Sequence, residues 1–188
     1  MIEQLFTAEQ IAGRVAAIGG AIRAEAGNGE VFLLGILKGA SVFLADLIRA
    51  IEGEVTYGFI DVVRDEADTG VASALEIDFV SYTNITGRDV YVVKDIVSTG
   101  VIENYLLAQL RLHGPRSLHL VALLDRPSLR TVELDVDFKA FETDGGSYVG
   151  YGLELDTHHG NLHWIGRIIA NDHSPSLSPR ERVPRSGG

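Results

Sequence analysis

The sequence predicts an α/β domain built on a mainly parallel, twisted sheet flanked by helices. Two observations carry this. Short continuous apolar runs, Val31 to Ile36 and Val90 to Val93, have the character of strands buried on both faces. Between such runs lie segments with apolar residues at helical spacing, so strands alternate with helices along the chain.

The elements follow in order. Thr7-Ala8-Glu9-Gln10 has the form of a capping box and starts a helix over about 8–26, which Gly27-Asn28-Gly29 stops. After the strand Val31–Ile36, Lys38-Gly39-Ala40-Ser41 is a tight loop, and Ser41 is expected to cap a helix reaching about Ile51. Strands are expected over 55–63 and 71–82, with the polar stretch 64–70 between them as the turn of a long hairpin. Gly87-Arg88 turns the chain into the strand 90–93. A loop over Asp95–Gly100 leads to a helix over about 101–113. Beyond Gly114-Pro115 come a strand over 118–124 and short strands near 138–141 and 148–151. Residues 1–171 are expected to form one domain. Residues 172–188, rich in Ser, Pro, Arg and Gly and without periodicity, are expected to form a disordered tail.

Composition narrows the function. The net charge is -10 and the lysines are three, Lys38, Lys94 and Lys139, which argues against general binding to nucleic acid. No apolar run approaches the ~20 residues that span a bilayer, and the N-terminus lacks the basic start of a secretory signal. The chain has no cysteine, which excludes disulfides and thiolate chemistry. A cytoplasmic protein is expected. A small phosphorylated ligand stays compatible with the charge, because a few local amides and cations can hold one.

One segment suits such a ligand. Val90-Tyr91-Val92-Val93-Lys94-Asp95-Ile96-Val97-Ser98-Thr99-Gly100 runs from a buried strand towards a helix. Gly100 permits a sharp turn, Ser98 and Thr99 carry hydroxyl donors, and the amides at the helix start, from Val101 on, point outward with the positive end of the dipole. Asp95 projects into the crevice where open α/β sheets bind ligands. Ser-Thr-Gly is equally an ordinary N-cap and turn, so this loop leaves both readings open.

Here the chain resembles the type I phosphoribosyltransferases, in the hypoxanthine–guanine branch, along nearly its whole length. The loop is similar to the family's phosphoribosyl-diphosphate motif, and Gly35-Ile36-Leu37-Lys38-Gly39-Ala40 to its pyrophosphate loop. Gly87-Arg88-Asp89-Val90 and Gly114-Pro115-Arg116-Ser117-Leu118 match the lead-ins to two strands. Leu123-Leu124-Asp125-Arg126-Pro127 resembles the segment that meets the purine, and Val149-Gly150-Tyr151-Gly152-Leu153 the stretch that closes the base pocket. The resemblance implies the family's core sheet with a small hood, and transfer of a phosphoribosyl group to hypoxanthine or guanine in nucleotide salvage. It implies Mg2+ as cofactor, and a homodimer or homotetramer. It assigns pyrophosphate binding to Leu37, Lys38 and Gly39, with a cis Leu37–Lys38 peptide. It gives phosphate and ribose binding to Lys94, Asp95, Ser98, Thr99, Gly100 and Val101, purine binding to Arg126, Tyr148 and Val149, and a metal contact to Glu154. Asp95 and Ser98 stand at the catalytic positions.

Several family residues are replaced. Lys94 stands for the first of an acidic pair, Ser98 for an aspartate proposed to handle the purine proton, and Ile102 for a phosphate-binding hydroxyl residue. Glu154 stands for an aspartate and Arg126 for a lysine. The arginine expected near Gly160 is absent. A serine is no base near neutral pH without an activating partner. The alternative reading is therefore a catalytically impaired relative that binds a nucleotide or phosphorylated ligand in a regulatory role. Elsewhere the expectations are bland. His158, His159, His163 and His173 fit no standard zinc spacing, Tyr151 and Trp164 are packing residues, and Asp125 is a strand-end turn residue. Tyr148 lies one position from the family's base-stacking aromatic. Asn84-Ile85-Thr86 is a turn rather than a glycosylation site.

Overall fold

The computed structural model describes residues 1–64, 75–79 and 84–169. In chain order the elements are β1 (Ile2–Phe6), α1 (Ala8–Ala26), β2 (Val31–Ile36), α2 (Ser41–Ala50), β3 (Val55–Arg64), β4 (Leu75–Phe79) and β5 (Asp89–Val97). Then come α3 (Val101–Arg111), β6 (Ser117–Asp125), a 3₁₀ turn (Pro127–Leu129), β7 (Phe138–Glu142), β8 (Tyr148–Val149) and β9 (Ile165–Ile168). Six strands form one sheet in the order β4-β3-β2-β5-β6-β7, parallel except for β4. A second, antiparallel sheet, β1-β9-β8, makes the hood.

Side-chain alternation decides which helix covers which face. On β2, β5 and β6, Leu33, Tyr91, Val93, Val121 and Leu123 meet Ile11, Val15, Ile18 and Ile22 of α1 and Phe43, Leu44 and Leu47 of α2. Their neighbours Phe32, Leu34, Val90, Val92, Leu120 and Ala122 meet Leu106, Leu107 and Leu110 of α3 on the other face. Both faces are apolar and covered, which explains why these strands read as unbroken apolar runs. The capping box forms as expected: Gln10 N donates to Thr7 Oγ1 at 3.3 Å and Thr7 N to Gln10 Oε1 at 2.9 Å.

Three expectations need correction. Ser41 does not cap α2; its hydroxyl donates back to Lys38 O at 2.6 Å, because the loop folds that carbonyl beneath it, and Ala40 is the capping position. The strand expected over 90–93 continues to Val97, since the parallel register with β6 holds as far as Val97 opposite Asp125. Lys94, Asp95 and Ile96 are therefore strand residues, and the loop shrinks to 98–100. The hood strands β1 and β9 had no counterpart in the sequence reading. The hairpin expected over 55–82 is present where described, with Ile60 opposite Phe79 and Arg64 opposite Leu75; its turn, like the tail expected over 172–188, lies outside the described residues.

The strand order reverses between β2 and β5: from β2 the chain proceeds to β3 on one side, from β5 to β6 and β7 on the other. Ligand crevices of open α/β sheets form at the carboxyl ends of strands beside such a switch point. The loops leaving β2 and β5 are the ones that the sequence singles out.

Candidate active site

A cleft of ≈ 340 Å³ opens at this point, lined by Lys38 and Gly39 after β2, Asp95 and Ile96 on β5, Tyr148 of β8 and Glu154 of the hood segment, among others. Close approach shapes it. A Cβ on Gly39 would lie 1.9 Å from Asp95 Oδ2, so only glycine lets the loop after β2 touch the end of β5. The Leu37–Lys38 peptide is cis.

The two carboxylates at the cleft are each engaged by a lysine. Lys38 Nζ lies 2.7 Å from Glu154 Oε2, and Lys94 Nζ donates to Asp95 Oδ1. Lys38 is largely exposed, whereas the Lys94 and Asp95 side chains keep only 19% and 20% of their exposure. Among the described residues no group of three or more His, Cys, Asp or Glu side chains is arranged to hold a metal ion. Mg2+ takes one or two carboxylates with water and ligand oxygens; here Asp95 and Glu154 are the carboxylates at the cleft, and each would have to share its lysine partner with the ion. His158 and His159 stand exposed on the hood loop, and His173 lies outside the described residues.

Beside the cleft, Ser98, Thr99 and Gly100 turn the chain from β5 into α3. Gly100 has φ 80°, and a Cβ there would sit 2.9 Å from Arg130 Cδ and 3.0 Å from Leu134 Cδ2. The turn is braced from the next loop: Arg130 Nη1 donates to Ser98 O at 2.7 Å, and Thr131 N to Thr99 O at 3.0 Å. Arg130 also pairs with Asp125, which accepts from Lys139 Nζ at 3.2 Å and is 3% exposed. Asp125 is thus the buried anchor of a charge cluster rather than a simple turn residue. Thr99 and Val101 are exposed, with Val101 N 3.4 Å from Thr99 Oγ1.

Next to the cleft, Arg126 packs against Tyr148. Its guanidinium lies over the Tyr148 ring, 4.7 Å from the centroid, a cation–π contact that takes one face of the ring. Its Nη2 donates to Gly146 O and its Nη1 to Ser98 Oγ at 3.4 Å, while Nε is buried without a partner. Tyr148 is buried, its hydroxyl bonded to Asp144 O at 2.8 Å. Val149 is fully buried and paired with Gly166 of β9.

Further neighbours complete the site, among them Glu103, which the sequence reading did not single out. Tyr151 OH donates to Asp46 Oδ2 at 2.5 Å, fixing the hood turn onto α2; burial and then this bond push its hydroxyl far above the usual tyrosine range. Gly152, φ 89°, passes so close to the loop after β2 that a Cβ would meet Gly39 O at 3.1 Å. At Gly160 a Cβ would meet Glu154 Cγ at 2.6 Å, so an arginine there would have to displace Glu154. Glu103, in the first turn of α3, is 5% exposed. Burial pushes its carboxyl up, Asp95 adds to the rise, and its own backbone N–H, Lys94 and Arg130 partly oppose it. A charged residue at a helix start, three places after a phosphate-type turn, is a signal that the sequence carried for Glu103. The Asp125, Arg130 and Lys139 cluster depends on the β6–β7 register and has no local signature.

The sequence profile of the phosphoribosyl transferase domain matches residues 1–154. The chain is 34% identical over 171 residues to a hypoxanthine-guanine phosphoribosyltransferase of Mycobacterium avium, covering 87% of this chain and 84% of that one. It is 33% identical over 162 residues to the enzyme of that name in Bacillus subtilis, covering 86% and 90%. A crystal structure of a hypoxanthine-guanine phosphoribosyltransferase from Bacillus anthracis superposes with a TM-score of 0.81 at 32% identity, covering 90% of this chain and 100% of that one. The elements and their order are therefore those of one known architecture, and the chain belongs to the phosphoribosyltransferase family.

Proposed function

We propose that this chain is a purine phosphoribosyltransferase of nucleotide salvage, transferring the phosphoribosyl group of phosphoribosyl diphosphate to hypoxanthine or guanine with release of diphosphate. The carrying observation is the cleft at the ends of β2 and β5, which gathers Lys38, Gly39 and Asp95. Kinship with enzymes named for this reaction supports it.

In this reading the chain acts by holding and by charge. Backbone amides of Lys38 and Gly39 face the diphosphate. The turn at 98–100 and the first amides of α3 hold the 5′-phosphate, where the helix dipole is positive. As the bond from C1 of the ribose to the diphosphate oxygen breaks and the bond to the purine nitrogen forms, positive charge builds on the ribose, and Asp95 is the anion nearest to oppose it. Arg126 carries only donors and therefore selects a purine with a ring carbonyl over one with an amino group there. Ser98 takes no proton near neutral pH, so the purine proton leaves to water. Mg2+, when bound, would be held mainly by oxygens of the donor and would supply counter-charge to the diphosphate.

The Lys94–Asp95 pair and Ser98 favour one second reading, a regulatory relative that binds a nucleotide without turning it over. Chromatography separates the two. The protein is mixed with phosphoribosyl diphosphate, MgCl2 and each of hypoxanthine, guanine, xanthine and adenine, alongside a variant carrying Lys94→Glu and Ser98→Asp. Nucleotide formed by the unaltered chain is the expected result. Nucleotide formed by the variant alone would hand the function to the regulatory reading. A cytoplasmic homodimer or homotetramer, acting on small molecules without nucleic acid or membrane, completes the proposal; among the described residues no helix is long and apolar enough to cross a bilayer.

A further inference from the structure

Glu103 is a buried carboxylate that the proposed reaction does not use. It stands in the first turn of α3, three residues after Gly100, and is 5% exposed. At ~1.5 Å of rise per residue, its backbone lies about 4.5 Å along the helix axis from Gly100. It shares the buried face of α3 with Leu106, Leu107 and Leu110, the face that packs on the sheet. Its carboxylate accepts from its own backbone N–H. That N–H is one of the amides that open at a helix start, and a phosphate at the turn would draw on its neighbours, those of Val101 and Ile102. Two anions would then share one positive end.

The charges packed around Glu103 leave this conflict standing. From β5, Lys94 attracts it and Asp95 repels it, and from the loop after β6, Arg130 attracts it. Both cations are already engaged, Lys94 by Asp95 and Arg130 by Asp125 and Ser98 O. Burial raises the Glu103 carboxyl above the usual glutamate range, and Asp95 adds to the rise. A phosphate at the turn is a further like charge and raises it again. We propose that Glu103 forms the proton-accepting floor of the 5′-phosphate site, so that a phosphate monoester binds at the turn together with one proton from solvent, which Glu103 takes up. Affinity then falls as pH rises through the folded-state titration of Glu103. This rests on the reading of the turn as the 5′-phosphate site.

Calorimetric titration of the full chain with guanosine 5′-monophosphate, from about pH 5 to 8 and in two buffers of different ionisation enthalpy, counts the protons that accompany binding. The phosphate brings its own ionisation, with a pKa of about 6, so the readout is the difference between the unaltered chain and Glu103→Gln. The unaltered chain is expected to take up as much as about one proton more than the variant. At the upper end of the range it should bind about tenfold more weakly than the variant, and towards the lower end the two affinities should converge. Glu103→Met, a second neutral replacement, should behave as Glu103→Gln does, and thermal melts establish that both fold. Equal proton uptake by the unaltered chain and a folded neutral variant would overturn the proposal while leaving the phosphate site in place. So would a folded neutral variant that binds no more tightly than the unaltered chain at the upper pH. No binding of the nucleotide at any pH would overturn the phosphate-site reading itself, and this inference with it.

Discussion

Glu103 shows how one buried side chain couples the site to pH. Its folded-state pKa is raised, chiefly by burial. The protonated form is favoured in the folded protein, so the contribution is fully present below the unfolded pKa and is lost as pH rises through the folded one. Replacing it by the neutral isostere, Glu103→Gln, should stabilise the protein above the folded pKa and change little at lower pH. Urea titrations of both proteins between pH 4 and about 8 would show the difference growing with pH, and a difference that is flat or shrinking would refute this account. Ser98 offers the second test at this scale. Ser98→Asp places a carboxylate where a proton acceptor is missing, but Arg126 stands 3.4 Å from the Ser98 hydroxyl and would hold that carboxylate ionised. The gain in kcat should therefore fall at the low end of what a general base contributes, about 10²-fold.

Elements explain why the cradle keeps its shape. The turn at 98–100 is closed by Gly100 at positive φ and braced by Arg130 from the loop after β6. Gly100→Ala should cost about 1–3 kcal/mol, because a Cβ meets both an unfavourable backbone region and the Arg130 side chain. The melting temperature should drop by roughly 2–4 °C for each kcal/mol. Arg130→Leu leaves Asp125 buried with Lys139 as its remaining partner. Breaking a buried pair costs about 3–5 kcal/mol, and the surviving lysine places the loss near the lower figure. A double-mutant cycle with Asp125→Leu should recover much of it, since an apolar pair carries no stranded charge. The elements also mark what the sequence could reveal. Lys38, Gly39, Asp95, Ser98, Thr99 and Gly100 were legible because each belongs to a strand–loop–helix junction written in consecutive residues. The cluster of Asp125, Arg130 and Lys139 was not, because the parallel register of β6 and β7 creates it. Nor were β1 and β9: they are short, β1 alternates only weakly in burial, and they pair with each other across about 160 residues of sequence.

At the scale of the whole molecule, the hood is a three-stranded sheet that shares its core with α1 and α2 and whose packing converges on Gly166. A Cβ there would meet Ile2 Cγ2 and the Trp164 ring at 2.6 Å each, and Glu3 O at 2.9 Å. Gly166→Val should part β1 from β9 while leaving the six-stranded sheet folded. Hydrogen exchange would then speed up over residues 2–6, 148–149 and 165–168 and stay slow over β5 and β6. Donor binding should weaken as well, because Tyr148 and Glu154 are carried on the hood segments.

The pairing of β1 with β9 also sets the order in which the molecule can be built. β1 precedes every other described element in the chain, yet its hydrogen-bonding partner is the last of them to emerge. Closing that contact spans nearly the whole domain, the kind of long-range pairing that slows folding and comes late. The turn between β5 and α3 can assemble from the chain up to β6 and its following loop. The wall carrying Tyr148 and Glu154 must wait for β9. A nascent chain would thus hold a formed cradle with an unclosed cleft and an unpaired β1 edge, the stage at which it is most open to association with other chains.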